Sequence, residues 1–115
     1  MTSDHDELDA GTVAALRDGA ALDVLRTAYG LGYVLTGPHN RVCRRDPDSY
    51  HNAVDDISRH ERDTVQALAV AGLLELGHRE TVLDRDGTTQ FARVGYPFVL
   101  THHGRNALHT TWGTR

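Results

Sequence analysis

Ser58-Arg59-His60-Glu61 constrains this chain more than any other stretch, because it has the pattern of a capping box. The Ser hydroxyl can accept from the amide of Glu61 while the Glu carboxylate reaches back to the Ser58 amide, so a helix is predicted to start at Arg59. Val65, Leu68, Ala69 and Gly72 continue it as one stripe of helical period, and Gly72 suits the left-handed position that ends a helix. Leu73, Leu74 and Leu76 then lead into a β-prone region. Its clearest turn is Asp86-Gly87, set between Thr81-Val82-Leu83 and Thr88-Thr89-Gln90-Phe91, which predicts a hairpin. Phe98-Val99-Leu100 reads as a last short strand, and Thr101 as the cap of a closing helix through Gly104-Arg105-Asn106-Ala107-Leu108.

The first half supports a compatible order. Residues 1–11 read as a disordered acidic leader and residues 12–115 as one domain. Val13, Leu16, Leu22, Leu25 and Tyr29 carry a helical stripe broken at Asp18-Gly19 and ending near Gly30. Tyr33–Thr36 and Arg41–Arg44 flank Gly37-Pro38-His39-Asn40 as a candidate hairpin. Asp46-Pro47 has the form of an N-cap with proline at the first helical position, opening a helix whose apolar stripe is Tyr50, Ala53, Val54 and Ile57. A tight link at Asp55–Ser58 would join that helix to the one starting at Arg59. Helix, strand, helix, helix, ribbon is the order of a winged helix.

Ala71-Gly72-Leu73-Leu74-Glu75, followed by Phe98-Val99-Leu100-Thr101-His102-His103-Gly104-Arg105-Asn106-Ala107-Leu108, resembles the winged helix-turn-helix transcription regulators of the MarR and PadR type over the second half of the chain. The resemblance implies that the Arg59 helix is a recognition helix and the hairpin a wing. The distance from Gly72 to Leu100 exceeds what a wing needs, which predicts an insertion or a third ribbon strand within Glu75–Pro97. The fold class expected is α+β, a winged helix-turn-helix with a three-helix core, a β-ribbon wing and a closing C-terminal helix.

Net charge is −4, but Asp4, Asp6, Glu7 and Asp9 account for four negatives, leaving twelve Arg against twelve acids. A strongly basic footprint is absent. All twelve cations are Arg, which suits phosphate and guanine contacts. With 39% apolar residues and only seven aromatics the core should be thin, and a homodimer formed through the closing helix, Ala107, Leu108 and Trp112 is expected. Cys43 is alone, the leader has no signal-peptide pattern and no run is apolar enough for a membrane span, so a cytoplasmic protein is expected.

On the Arg59 helix, the side away from Val65 and Leu68 presents His60, Asp63, Ala67 and Val70, flanked by Arg59, Thr64 and Gln66, with Arg62 nearby. Arg can read guanine and Gln adenine in a major groove. Arg85 at the hairpin tip could enter a minor groove, and Arg41, Arg44 and Arg45 could touch phosphate or simply guard a strand edge. The set Arg59, His60, Arg62, Thr64, Gln66, Arg85, Arg41, Arg44 and Arg45 is the candidate DNA-binding surface. Val82-Leu83-Asp84-Arg85-Asp86-Gly87-Thr88 also looks like a haloacid-dehalogenase nucleophile loop, but no Lys exists in the chain to complete such a site. His102, His103 and His109, or His51 with Asp55, lack zinc-ligand spacing and read as solvated or satisfied side chains. No enzyme activity, metal or cofactor is expected. The reading is a regulator that binds double-stranded DNA sequence-specifically, with a small-molecule or protein effector left open. The alternative is a winged-helix module for protein–protein contact.

Overall fold

The computed structural model describes residues 19–37, 39–48, 53–86 and 88–113. The acidic leader, the helical positions Val13 and Leu16, Tyr50 and His51 lie outside them. The order of elements is α1 (Ala20–Tyr29), β1 (Tyr33–Thr36), β2 (Arg41–Arg45), β3 (Val54–Asp56), α2 (Arg59–Val70), β4 (Leu74–Leu76), β5 (Glu80–Asp86), β6 (Thr89–Leu100) and α3 (His102–Gly113).

This is not the winged helix expected from the sequence. Among the described residues, three helices separated by strands pack on a six-stranded antiparallel sheet of order β3-β2-β1-β6-β4, with β5 also pairing β6. The correction turns on one segment. Asp46-Pro47 does not open a helix: the Asp46 carboxylate accepts from the Asp48 amide at 2.9 Å, an Asx turn. Val54–Asp56 beyond it is a strand. Val54 pairs opposite Arg45, Asp55 opposite Arg44 and Asp56 opposite Cys43, which buries Val54 and sets acids against arginines across the ladder. The strand turns Asp55 and Asp56 to opposite faces, where Arg85 meets the first and Arg41 the second. With β3 in place of a helix, α2 is preceded directly by a strand and three strands separate it from α1, so no helix-turn-helix forms.

Alternation along the strands sorts the core into two layers. Tyr33, Val42, Leu74, Phe98 and Leu100 face the helices and join Val24, Leu25, Val65, Leu68, Ala107 and Leu108. Val34, Cys43, Val54 and Val82 form a second cluster on the opposite, concave face. A parallel bridge between Ala53 and Leu83 brings β3 beside β5, so the sheet curls round that cluster almost into a barrel. Gly95 lies in the curl, where a Cβ would press on methyls of Val34 and Val82.

The expected β1–β2 hairpin forms with Thr36 opposite Arg41. The expected hairpin between the Thr81–Leu83 and Thr88–Phe91 segments also forms, with Asp86 opposite Thr89; Gly87 of its expected turn lies outside the described residues. The predicted insertion is a bulge. Leu76 pairs with Phe98 and Glu80 with Gly95, four steps against three, so β4 and β5 behave as one strand with an extra residue between them. Gly77 keeps contact by donating to the Pro97 carbonyl at 2.8 Å. Phe98–Leu100 is the end of the twelve-residue β6 rather than a separate short strand.

The predicted helix boundaries hold. Ser58 Oγ accepts from the Glu61 amide at 3.1 Å. At the other end Leu73 donates to the Leu68 carbonyl at 2.9 Å and Gly72 to Ala69 at 3.0 Å, a Schellman motif with Gly72 at φ 84°. Thr101 ties this turn to α3: its hydroxyl donates to the Gly72 carbonyl at 2.6 Å and accepts from the Gly104 amide at 2.9 Å. Its own amide donates to the Leu73 carbonyl at 3.1 Å. Gly104 sits so close to that carbonyl that any Cβ would collide with backbone. Gly104→Ala should therefore destabilise the fold by about 1–3 kcal/mol, as overpacking against an immobile group does. Gly37→Ala, with nothing within 4 Å of the added methyl, should leave the urea midpoint unchanged by circular dichroism.

Candidate nucleic-acid interface

The concave side of the curl concentrates charge. Asp84 is 3% exposed, and two arginines from different strands hold it: Arg41 Nη2 at 2.6 Å and Arg93 Nε at 2.8 Å, with the Arg85 amide donating at 2.8 Å. Arg41 also reaches Asp56 at 3.2 Å and the Cys43 sulfur at 3.3 Å, while Arg93 lies over the Phe91 ring at 4.6 Å. Burial opposes the charged form of Asp84, but the hydrogen bonds from Arg41, the Arg85 amide and Arg93 outweigh it and hold the carboxyl below its ordinary value. Burial pushes the Cys43 thiol up, which keeps it protonated and unreactive.

This network and its neighbours decide the fate of the candidate DNA contacts. Arg44 pairs with Glu61 at 3.2 Å and Arg45 with Glu80 at 2.6 Å. Arg85, expected at a groove-entering tip, is held by Asp55 and lies 3.8 Å from Asp46. Glu61 does not complete the capping box; its carboxylate also accepts from the Tyr33 hydroxyl at 2.6 Å. Burial, then that bond, raises the Tyr33 phenol well above its ordinary value. On α2, Arg59, His60 and Gln66 are exposed as expected, and Thr64 donates to the His60 carbonyl at 2.9 Å. Arg62 makes only a 3.5 Å surface contact with Asp63.

Two open cavities flank the turn between β1 and β2. One, of about 320 Å³, is lined by His39, Asn40, Arg41, Arg62 and Gln66. The other, of about 500 Å³, is lined by Gly37, Arg79, Ala92, Arg93, Val94 and Tyr96. No carboxylate lines either. His39 and Asn40 stand at φ 70° and 52°, left-handed backbone that aims the turn out between the two cavities. Arg62 and Gln66 share a side of α2 one turn apart. Sequence reasoning found Arg41, Arg62 and Gln66 but not Arg79, Arg93, Tyr96, His39 or Asn40. The Gly-Pro-His-Asn turn was visible, whereas nothing local announces that the Arg79 bulge and β6 meet it.

Among the described residues no helix is long and apolar enough to cross a membrane, and no three His, Cys, Asp or Glu side chains are placed to hold a metal ion. Comparison of the chain with protein-family models, curated proteins and solved structures finds no match.

Because the folded Asp84 value lies below the ordinary 3.8, the stability its charge confers is complete above that pH and is lost as pH falls through the folded value. Asp84→Asn should cost about 3–5 kcal/mol at neutral pH, the range for removing one partner of a buried ion pair. The stability difference between wild type and this variant should stay flat from about pH 7 to 5 and narrow below about pH 4, followed by urea titration at each pH.

Proposed function

We propose that the chain binds double-stranded DNA without catalysing a reaction, and reads sequence through α2. The observation that carries this is the pair of carboxylate-free cavities beside the β1–β2 turn. They bring together Arg41, Arg62, Arg79 and Arg93 with the amides of Asn40 and Gln66. Arg93 meets Asp84 and Arg41 meets both Asp84 and Asp56, yet the two guanidiniums remain about one third exposed, so part of each is left to meet phosphate. Arg79, and Arg59 at the start of α2, form no ion pair among the described residues and extend the same positive surface. Arg62 and Gln66, on one side of α2, have the chemistry for base edges. Arg44, Arg45 and Arg85 serve the fold instead.

A second reading, a protein–protein contact module, is favoured by the apolar surface. Val94, Leu76 and Tyr96 are 50%, 47% and 40% exposed. Tyr96 pairs opposite Leu35 and Leu76 opposite Phe98, which places these residues together on the helix-bearing face where no described helix covers them. Dimerisation through the closing helix loses part of its motive, because Ala107 and Leu108 are 2% and 4% exposed within the protomer's own core.

Fluorescence anisotropy with a pool of random duplexes separates the two. Arg79→Ala should weaken all sequences alike and lower the slope of log K against log salt by about 0.9. Gln66→Ala should cost about 1–3 kcal/mol on selected sites only. Arg85→Ala should leave DNA affinity unchanged while lowering stability. Absence of binding at about 20 mM salt overturns the DNA reading. Sedimentation equilibrium of Val94→Asp beside wild type then tests whether the apolar face buries a partner.

A further inference from the structure

We infer a second binding site, for a small carboxylate with an apolar body, in the cleft between the end of α1 and the first turns of α3. It lies apart from the proposed DNA surface and does not rest on that reading. The cavity there measures about 390 Å³, within the range of small-ligand sites, and is lined by Tyr29, His102, Arg105, Asn106, Leu108 and His109.

Its chemistry departs from that of the rest of the surface. Elsewhere most arginines meet a carboxylate, but Arg105 forms no ion pair among the described residues, and no acid lines the cleft. His102, Arg105, Asn106 and His109 fall at i, i+3, i+4 and i+7 of α3, so one helix face delivers a guanidinium, two imidazoles and an amide to the same side. His102 and Asn106 already touch, ring nitrogen to amide nitrogen at 3.3 Å. Thr101 takes the Gly104 amide, and the amides of His102 and His103, at the positive end of α3, have no hydrogen-bond partner among the described residues. A planar guanidinium binds a carboxylate in two parallel hydrogen bonds. Leu108 supplies an apolar wall, and Tyr29, 65% exposed, stands at the mouth with no ring contact among the described residues. Charge recognition at one end and an apolar wall at the other define the ligand class.

The test is ¹H–¹⁵N correlation spectroscopy of the full chain with 3-phenylpropionate, its neutral amide and inorganic phosphate as separate probes. The acid should shift the amides of Tyr29, His102, Arg105, Asn106 and His109 in a saturable manner, and the amide and phosphate should each bind at least about tenfold more weakly. Arg105→Gln, an exposed position, should weaken the acid about tenfold, and Tyr29→Ala should weaken it without abolishing the preference for acid over amide. Equal binding of acid and amide, equal binding of phosphate alone, shifts centred elsewhere, or an unchanged affinity in Arg105→Gln overturns the proposal.

Discussion

Asp84 is a carboxylate almost wholly removed from water, and a charge in that position has to be met on every side. The groups that meet it come from three strands: Arg41 from β2, Arg93 from β6 and the Arg85 amide from β5 itself. In the sheet β2 and β5 are not neighbours along the main order, so the Arg41–Asp84 contact spans the curl. The same closure aligns Ala53 with Leu83 and brings Arg85 to Asp55 and Asp46. Behind it Val34, Cys43, Val54 and Val82 exclude water from one side of the network. The small second core and the ion cluster therefore need each other: the valines desolvate Asp84, and the arginines make that desolvation tolerable.

A second junction fixes the helices to the sheet. The turn at Gly72-Leu73 ends α2, offers its carbonyls to Thr101 and accommodates Gly104 against its backbone. Leu-Thr followed by Gly after a Gly-Leu-Leu turn is thus accounted for by packing and capping alone. Those residues carried the resemblance to DNA-binding regulators, and their structural role means that they do not by themselves speak for DNA. The proposal rests instead on which cations stay available once the carboxylates have taken theirs.

That division follows from the strand ladder. Residues of β2 alternate faces, so Arg41 and Arg45 turn to the concave side while Arg44 turns to the helices and Glu61. A cluster that is dense in sequence is split into three separate ion pairs in space. Of the cations that keep no firm carboxylate partner among the described residues, Arg59 and Arg62 come from α2, Arg79 from the bulge before β5 and Arg105 from α3, and of these Arg62 and Arg79 line the cavities beside the β1–β2 turn.

Local signals were legible wherever the chemistry was local. The cap at Ser58, the left-handed Gly72, the cap at Thr101, the β1–β2 hairpin and the β5–β6 hairpin each depend on hydrogen bonds or backbone freedom within a few residues, and each is present in the fold. The candidate site was legible on α2, where exposure follows from helical period, and at Arg41, which stood out in a basic run. Asp46–Ile57 shows the boundary of such reading. Asp before Pro marks an Asx turn as well as it marks a helix cap, and Ala53, Val54 and Ile57 fit a strand or a helix stripe. The choice was made by Arg44, Arg45 and Leu83, the cross-strand partners of Asp55, Val54 and Ala53, which lie outside that segment. The sequence by itself determined the local stops and turns: the caps at Ser58 and Thr101, the helix end at Gly72 and the β1–β2 hairpin. Tertiary structure decided which of the segments between them is strand or helix, which arginines are neutralised and which face remains open, because burial and charge pairing depend on neighbours that only the folded chain brings together.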